Sequence, residues 1–132
     1  MKKRNFIAKD LLSRKFSQKK VKPKKGFRPS PRSGHTLTYM DERSEVILYG
    51  GEGEWNGSRK IGKRRVVRGD VQVFDLEDMT WSTPSIAGDP RRGGMQPCSR
   101  RSHTAVKWDK DTVLIYGGQG IGIQLDALRR KP

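Results

Sequence analysis

A chain of 132 residues is long enough for one small domain, and its 29 Lys and Arg against 14 Asp and Glu give a formal net charge of +15. Hydrophobic residues make up only 32% of it, and no run approaches the roughly 20 apolar residues of a membrane-spanning helix, which excludes a helical membrane protein. The single Cys98 excludes an internal disulfide framework and a zinc site of several thiolates.

In chain order, the charge comes first. Residues 1–32 carry 13 Lys and Arg and one acid, Asp10. Phe6, Ile7, Leu11, Leu12 and Phe16 scatter around a helical wheel instead of forming one face. Lys19, Lys20, Lys22, Lys24 and Lys25, broken by Pro23, repel one another and oppose helix formation. Residues 1–30 are therefore expected to be a basic flexible arm. Its lysine cluster has the pattern of a nuclear-import signal or a nucleic-acid contact, set against the plainer reading of a solubilising tail. No apolar segment of a secretory signal follows the basic start, so a cytoplasmic or nuclear location is expected. A mitochondrial presequence is opposed by Asp10 and by the missing amphipathic face.

Beyond the arm the text repeats itself. HTLTYMDERSEVILYGG, from His35 to Gly51, aligns with HTAVKWDKDTVLIYGG, from His103 to Gly118, once one turn residue is dropped. The segments before them also agree, Pro31-Arg32-Ser33-Gly34 answering Ser99-Arg100-Arg101-Ser102. Such self-similarity governs every later inference about fold. The first repeat reads as four strands: 35–40, 45–50, 71–76 and 80–83. Val46-Ile47-Leu48-Tyr49 is an unbroken apolar run, the pattern of a strand buried on both faces, and Val113-Leu114-Ile115-Tyr116 is its equivalent. Pro84, Gly88, Pro90, Gly93, Gly94 and Pro97 punctuate a loop into the second repeat. No long helix is predicted in the body, which reads as all-β.

Two strands closed by a diglycine, an Asp-Leu ending the third and a Trp on the fourth resemble the kelch repeat. The residues that carry the likeness are Pro31, Arg32, Gly34, His35, Tyr49, Gly50, Gly51, Phe74, Asp75, Leu76 and Trp81, with Arg100, His103, Tyr116, Gly117 and Gly118 in the second copy. The resemblance implies that each repeat of about 50 residues is one four-stranded blade of a β-propeller. The two histidines stand 68 residues apart, so about 18 residues are surplus to a repeat of that length, and loop 52–70 accommodates them. The expected organisation is a first blade over 31–83, a partial second blade over 99–118 and a C-terminal tail over 119–132. In that tail Leu125-Asp126 would echo Phe74-Asp75 as a degenerate third strand. A propeller closes with about 4–8 blades, so about one and a half blades leave apolar faces and strand edges open. The chain is expected to need another chain or self-association to complete its packing. Whether it is a piece of a longer propeller stays open at this point.

Most motif residues are assigned to architecture. Gly50 and Gly51 permit a turn and close backbone approach, and Tyr49 and Trp81 suit the seam between blades. His35 and His103 each lie near an Arg, yet their equivalence in a scaffold motif argues against catalysis or metal binding. The inserted loop holds six Lys and Arg between 59 and 68 and no acid. Trp55, Arg59, Lys60, Lys63, Arg64, Arg65 and Arg68 form a candidate finger for an acidic protein surface or a phosphate backbone, against the reading of a solvated insertion. Asn56-Gly57-Ser58 matches a glycosylation acceptor that should stay unmodified without a signal peptide. The glycines miss G-x-G-x-x-G spacing, and no nucleophile elbow, phosphate loop or His-Glu-x-x-His occurs. Some kelch propellers are copper oxidases, but no matching set surrounds Cys98. The expectation is a non-catalytic interaction scaffold without cofactor or metal, binding protein partners through propeller loops. The alternative is an RNA- or ribosome-associated protein acting through the arm and loop 59–68.

Overall fold

A computed structural model describes residues 26–54, 65–87 and 96–120, together with the backbone of 125–130. The basic arm, with Lys19, Lys20, Lys22, Lys24 and Lys25, lies outside the described residues, as do Trp55, Arg59, Lys60, Lys63 and Arg64 of the inserted loop.

The described residues are all-β. In chain order the first strands are β1 (Thr36–Met40), β2 (Glu45–Tyr49), β3 (Glu52–Glu54), β4 (Arg65–Val67), β5 (Val71–Asp75), β6 (Thr80–Ser82) and β7 (Ile86–Ala87). They are followed by β8 (Arg100–Arg101), β9 (Thr104–Lys107), β10 (Thr112–Tyr116), β11 (Gln119–Gly120) and β12 (Leu125–Arg130). A single 3-10 turn, Asp41–Arg43, joins β1 to β2. β1, β2, β5 and β6 form one antiparallel sheet in that order, the complete blade that the sequence predicts. Asp75 closes its β5–β6 turn by accepting the backbone N–H groups of Glu77 and Asp78, both at 2.8 Å, which gives the Asp-Leu of the motif a structural task.

The second sheet runs β7-β12-β10-β9. Here the structure adds what the sequence did not offer. β7, from the Pro- and Gly-punctuated segment between the repeats, pairs antiparallel with β12 and takes the outer place that β6 fills in the first blade. β12 pairs with β10 as β5 does with β2. Its register sets Leu128 opposite Val113 and Leu125 opposite Tyr116, whereas Phe74 lies opposite Val46 and Val71 opposite Tyr49. Leu128-Arg129, not Leu125-Asp126, thus stand where Phe74-Asp75 stand; the Leu-Asp likeness was set three residues early because ladder register, not local text, fixes equivalence.

The core lies between the two sheets. Met40, Ile47, Tyr49, Val71 and Val73 of the first pack against Val113 and Ile115 of the second, with Ile86 and Ala105 partly buried beside them. β2 is covered on both faces, Ile47 and Leu48 being 1% and 5% exposed. β10 is covered on one face only: Val113 and Ile115 are buried, whereas Tyr116 is 61% exposed. The expectation of two buried faces therefore fails for the second copy at Tyr116, while Leu114 on the same face is partly buried.

Candidate functional site at the diglycine rim

The two repeats meet at the end of the sheets where the diglycines sit. Arg32 stands just before β1, and its guanidinium donates to the carbonyls of Ser30 at 3.2 Å and Gly50 at 3.1 Å. Arg100 repeats the pattern, donating to the carbonyls of Cys98 at 3.3 Å and Gly117 at 3.1 Å. Each Arg thereby ties the strand that opens its repeat to the glycine that ends the second strand. Arg32 also forms a bidentate pair with Asp70, at 2.7 and 3.0 Å. Burial pushes the Asp70 carboxyl up, but the hydrogen bonds from Arg32 and Gln72 outweigh it and hold the group below the ordinary carboxylate value.

The seam itself is built from both repeats. The Gly51 N–H donates to the Arg100 carbonyl at 2.9 Å, the Ser102 N–H to the Gly34 carbonyl at 2.8 Å, and the Arg100 N–H to the Arg68 carbonyl at 3.1 Å. The Tyr49 hydroxyl donates to the Cys98 carbonyl, and its ring meets the His103 imidazole edge-on with centroids 5.1 Å apart. His103 Nε2 lies 2.8 Å from the Thr36 hydroxyl. Burial, then the charges of Arg100 and His35, push the His103 pKa below its usual value. Tyr49 therefore sits in the seam. Trp81 lies on the other face of the first blade, its ring 5.0 Å from that of Phe74.

Above the seam the inserted segment is not loop throughout. Glu52–Glu54 and Arg65–Val67 pair as a two-stranded ribbon, with Glu52 opposite Val67 and Glu54 opposite Arg65. The β-branched pair Val66-Val67 was the available signal, and three residues a side were too few to read. At the base of the ribbon Glu52 accepts from Arg65 at 3.1 Å and from Arg101 at 2.7 Å. One carboxylate thus bridges a cation of its own ribbon and a cation of the next repeat. Arg65 also donates to the Ser33 hydroxyl at 3.0 Å. Arg68 donates to the Glu54 carbonyl at 2.9 Å. Of the candidate basic finger, the described members Arg65 and Arg68 both brace the ribbon, and Arg65, with 62% of its side chain exposed, also faces solvent. Arg101 and Glu52 were not singled out from the sequence; their joint role depends on a contact between repeats.

The opposite rim carries the turns β1–β2 and β9–β10. Lys107 is held between Asp41 and Glu42, and Arg43 pairs with Asp111. Glu42, Arg43, Lys110 and Asp111 line a shallow depression of about 330 Å3. Among the described residues no group of three or more His, Cys, Asp or Glu is placed to hold a metal ion.

Comparison with known proteins agrees with this geometry. The model of the KLHDC2/KLHL20/DRC7 Kelch-repeats domain matches residues 2–129. A probable serine/threonine-protein kinase of Dictyostelium discoideum is 32% identical over 96 residues, covering 73% of this chain and 6% of that protein. The host cell factor homolog hcf-1 of Caenorhabditis elegans is 27% identical over 130 residues, 90% of this chain and 15% of that protein. Human host cell factor 1 is 28% identical over 97 residues, 70% of this chain and 4% of that protein. The chain thus spans only a small part of the length of these relatives.

Proposed function

The chain belongs to the kelch-repeat family, and from that premise we propose that it is a non-catalytic scaffold that holds protein partners through the loops of its diglycine rim. Family membership supports protein binding as the general task. The ribbon supports the choice of rim: a rigid base anchored to both repeats presents the inserted loop, and loops held on rigid sheets are where recognition concentrates. The observation that carries the reading is the Glu52 bridge, which fastens the ribbon to Arg101 of the next repeat. Two guanidiniums share that one carboxylate, so the rim keeps surplus positive charge, and an acidic protein surface is the favoured partner. The kinase named among the relatives is a protein of which this chain spans 6%, which lends no support to a catalytic reading.

The test replaces residues 55–64 with a short Gly-Ser linker, leaving the ribbon strands in place, and compares partner capture by the full chain and the variant. Loss of partners with an unchanged melting temperature is expected. If partners survive removal of both this loop and residues 88–95, the rim is not the binding surface.

A further inference from the structure

Of the seven prolines, two follow a hydroxyl residue, in Ser30-Pro31 and Thr83-Pro84. The fold brings both hydroxyls onto one chain of hydrogen bonds. Thr83 Oγ1 donates to Gln72 Oε1 at 3.1 Å, and Gln72 Nε2 donates to Asp70 Oδ2 at 3.2 Å. Arg32 then grips Asp70 at 2.7 and 3.0 Å and reaches Ser30 Oγ at 3.3 Å. Chemistry fixes the direction of this chain. An ionised Asp70 only accepts, so the Gln72 amide must turn its NH2 to Asp70 and its carbonyl to Thr83. Gln72 is 6% exposed, so its carbonyl has little recourse to water and depends on the Thr83 proton.

Thr83 is exposed, one residue past the end of β6, the outer strand of its sheet. Exposure at this edge does not depend on an open face. Ser82 lies opposite Val73, on the face that meets the second sheet, and is exposed all the same. Ser30, by contrast, is half-buried, with its Oγ held by Arg32. Pro84 biases Thr83 to an extended backbone and offers no N–H of its own, the form in which a proline-directed protein kinase takes a hydroxyl. We propose that Thr83 is the phosphoacceptor of such a kinase, and that the phosphate breaks the hydrogen-bond chain leading to Asp70. In the transfer, Thr83 Oγ1 bonds to the γ-phosphorus of ATP and the bond from that phosphorus to the β–γ bridging oxygen breaks. ADP leaves, and the hydroxyl proton passes to the catalytic carboxylate of the kinase. The phosphate oxygens are strong acceptors and the donor is gone. Gln72 then turns its NH2 to the larger charge, which sets its carbonyl against Asp70. Asp70 is left to Arg32 alone, and Arg32 also holds the Gly50 carbonyl. A modification at the sheet edge is thereby felt at the diglycine rim.

The test treats the folded full chain with a proline-directed protein kinase and ATP, maps phosphate by mass spectrometry, and follows the Asp70 carboxyl by NMR titration. Phosphate is expected on Thr83. The Asp70 titration should move to higher pH, because the group loses the Gln72 donor and gains a neighbouring anion. The Tm should fall by about 4–8 °C, the scale of one lost hydrogen bond. Thr83→Val separates the phosphate from mere loss of the hydroxyl: it should take no phosphate at that position and leave the Asp70 titration in place. A folded chain that takes no phosphate on Thr83, or takes it on Ser30 in preference, overturns the site. Phosphorylated Thr83 with an unmoved Asp70 overturns the break in the chain. Partner capture enters none of these readouts, so this proposal and the choice of the rim as binding surface fail separately.

Discussion

Gly50 and Gly117 occupy the same place in their repeats, with φ of +66° and +71°, yet they should tolerate substitution differently. An alanine at either position strains the left-handed backbone by about 1–2 kcal/mol. At Gly50 the new methyl also meets a backbone carbonyl that cannot yield, so Gly50→Ala should cost on the order of 3 kcal/mol in urea denaturation. Gly117→Ala should cost only the strain. His103 makes stability depend on pH. The unfolded chain takes up a proton near the ordinary value of 6.5, whereas the folded chain does so only at lower pH. Unfolded molecules therefore bind more protons in that window, and stability falls as pH drops below about 6.5, levelling once His103 is protonated in the fold. His103→Asn should flatten this limb of a pH–stability curve. Asp70 acts in the same direction at lower pH, its contribution present above 3.8 and lost as pH falls through its depressed value. Arg32→Ala removes the Asp70 pair and the ties to Ser30 and Gly50 together. A cost of about 2–3 kcal/mol is expected, below that of a fully buried pair because Asp70 is 35% exposed.

At the scale of elements, the second blade depends on chain from two distant places. β7 is only two residues long, and β12 has β10 on one side and β7 on the other. Amides of 86–87 should therefore gain hydrogen-exchange protection together with those of 125–130, as one cooperative unit. Ile86 packs against the seam core from β7, and Ile86→Ala should cost about 1–2 kcal/mol, less than a fully buried aliphatic, while loosening both strands. Unchanged exchange in β12 after that substitution would show that β7 is not part of the sheet. The first blade was legible strand for strand, because its strands are bounded by turn chemistry and carry local signals, an apolar run in β2 and a Trp in β6. β7 was not legible: two residues between Pro84 and Gly88 have no period, and only pairing with a strand about forty residues later makes them a strand. The ribbon β3–β4 escaped for the same reason.

Across the whole molecule, the seam combines an apolar centre with charged clamps at both rims: Glu52 with Arg101 at one end, Lys107 with Asp41 and Glu42 at the other. The rim pairs are partly exposed and screened, so added salt should lower the stability of the chain only slightly.

The amino-acid order alone determined the class of this protein. The repeated His-Thr, the diglycines and the Asp-Leu with its Trp specify two copies of a blade, because turns and alternation are local properties of the chain. Tertiary structure alone decided which residues work together: that Glu52 joins two repeats, that Leu128 and not Leu125 matches Phe74, and that Tyr49 is buried while Tyr116 faces outward. Those outcomes depend on which sheet lies alongside, and two similar stretches of text become different surfaces when only one of them has a second described sheet packed on it.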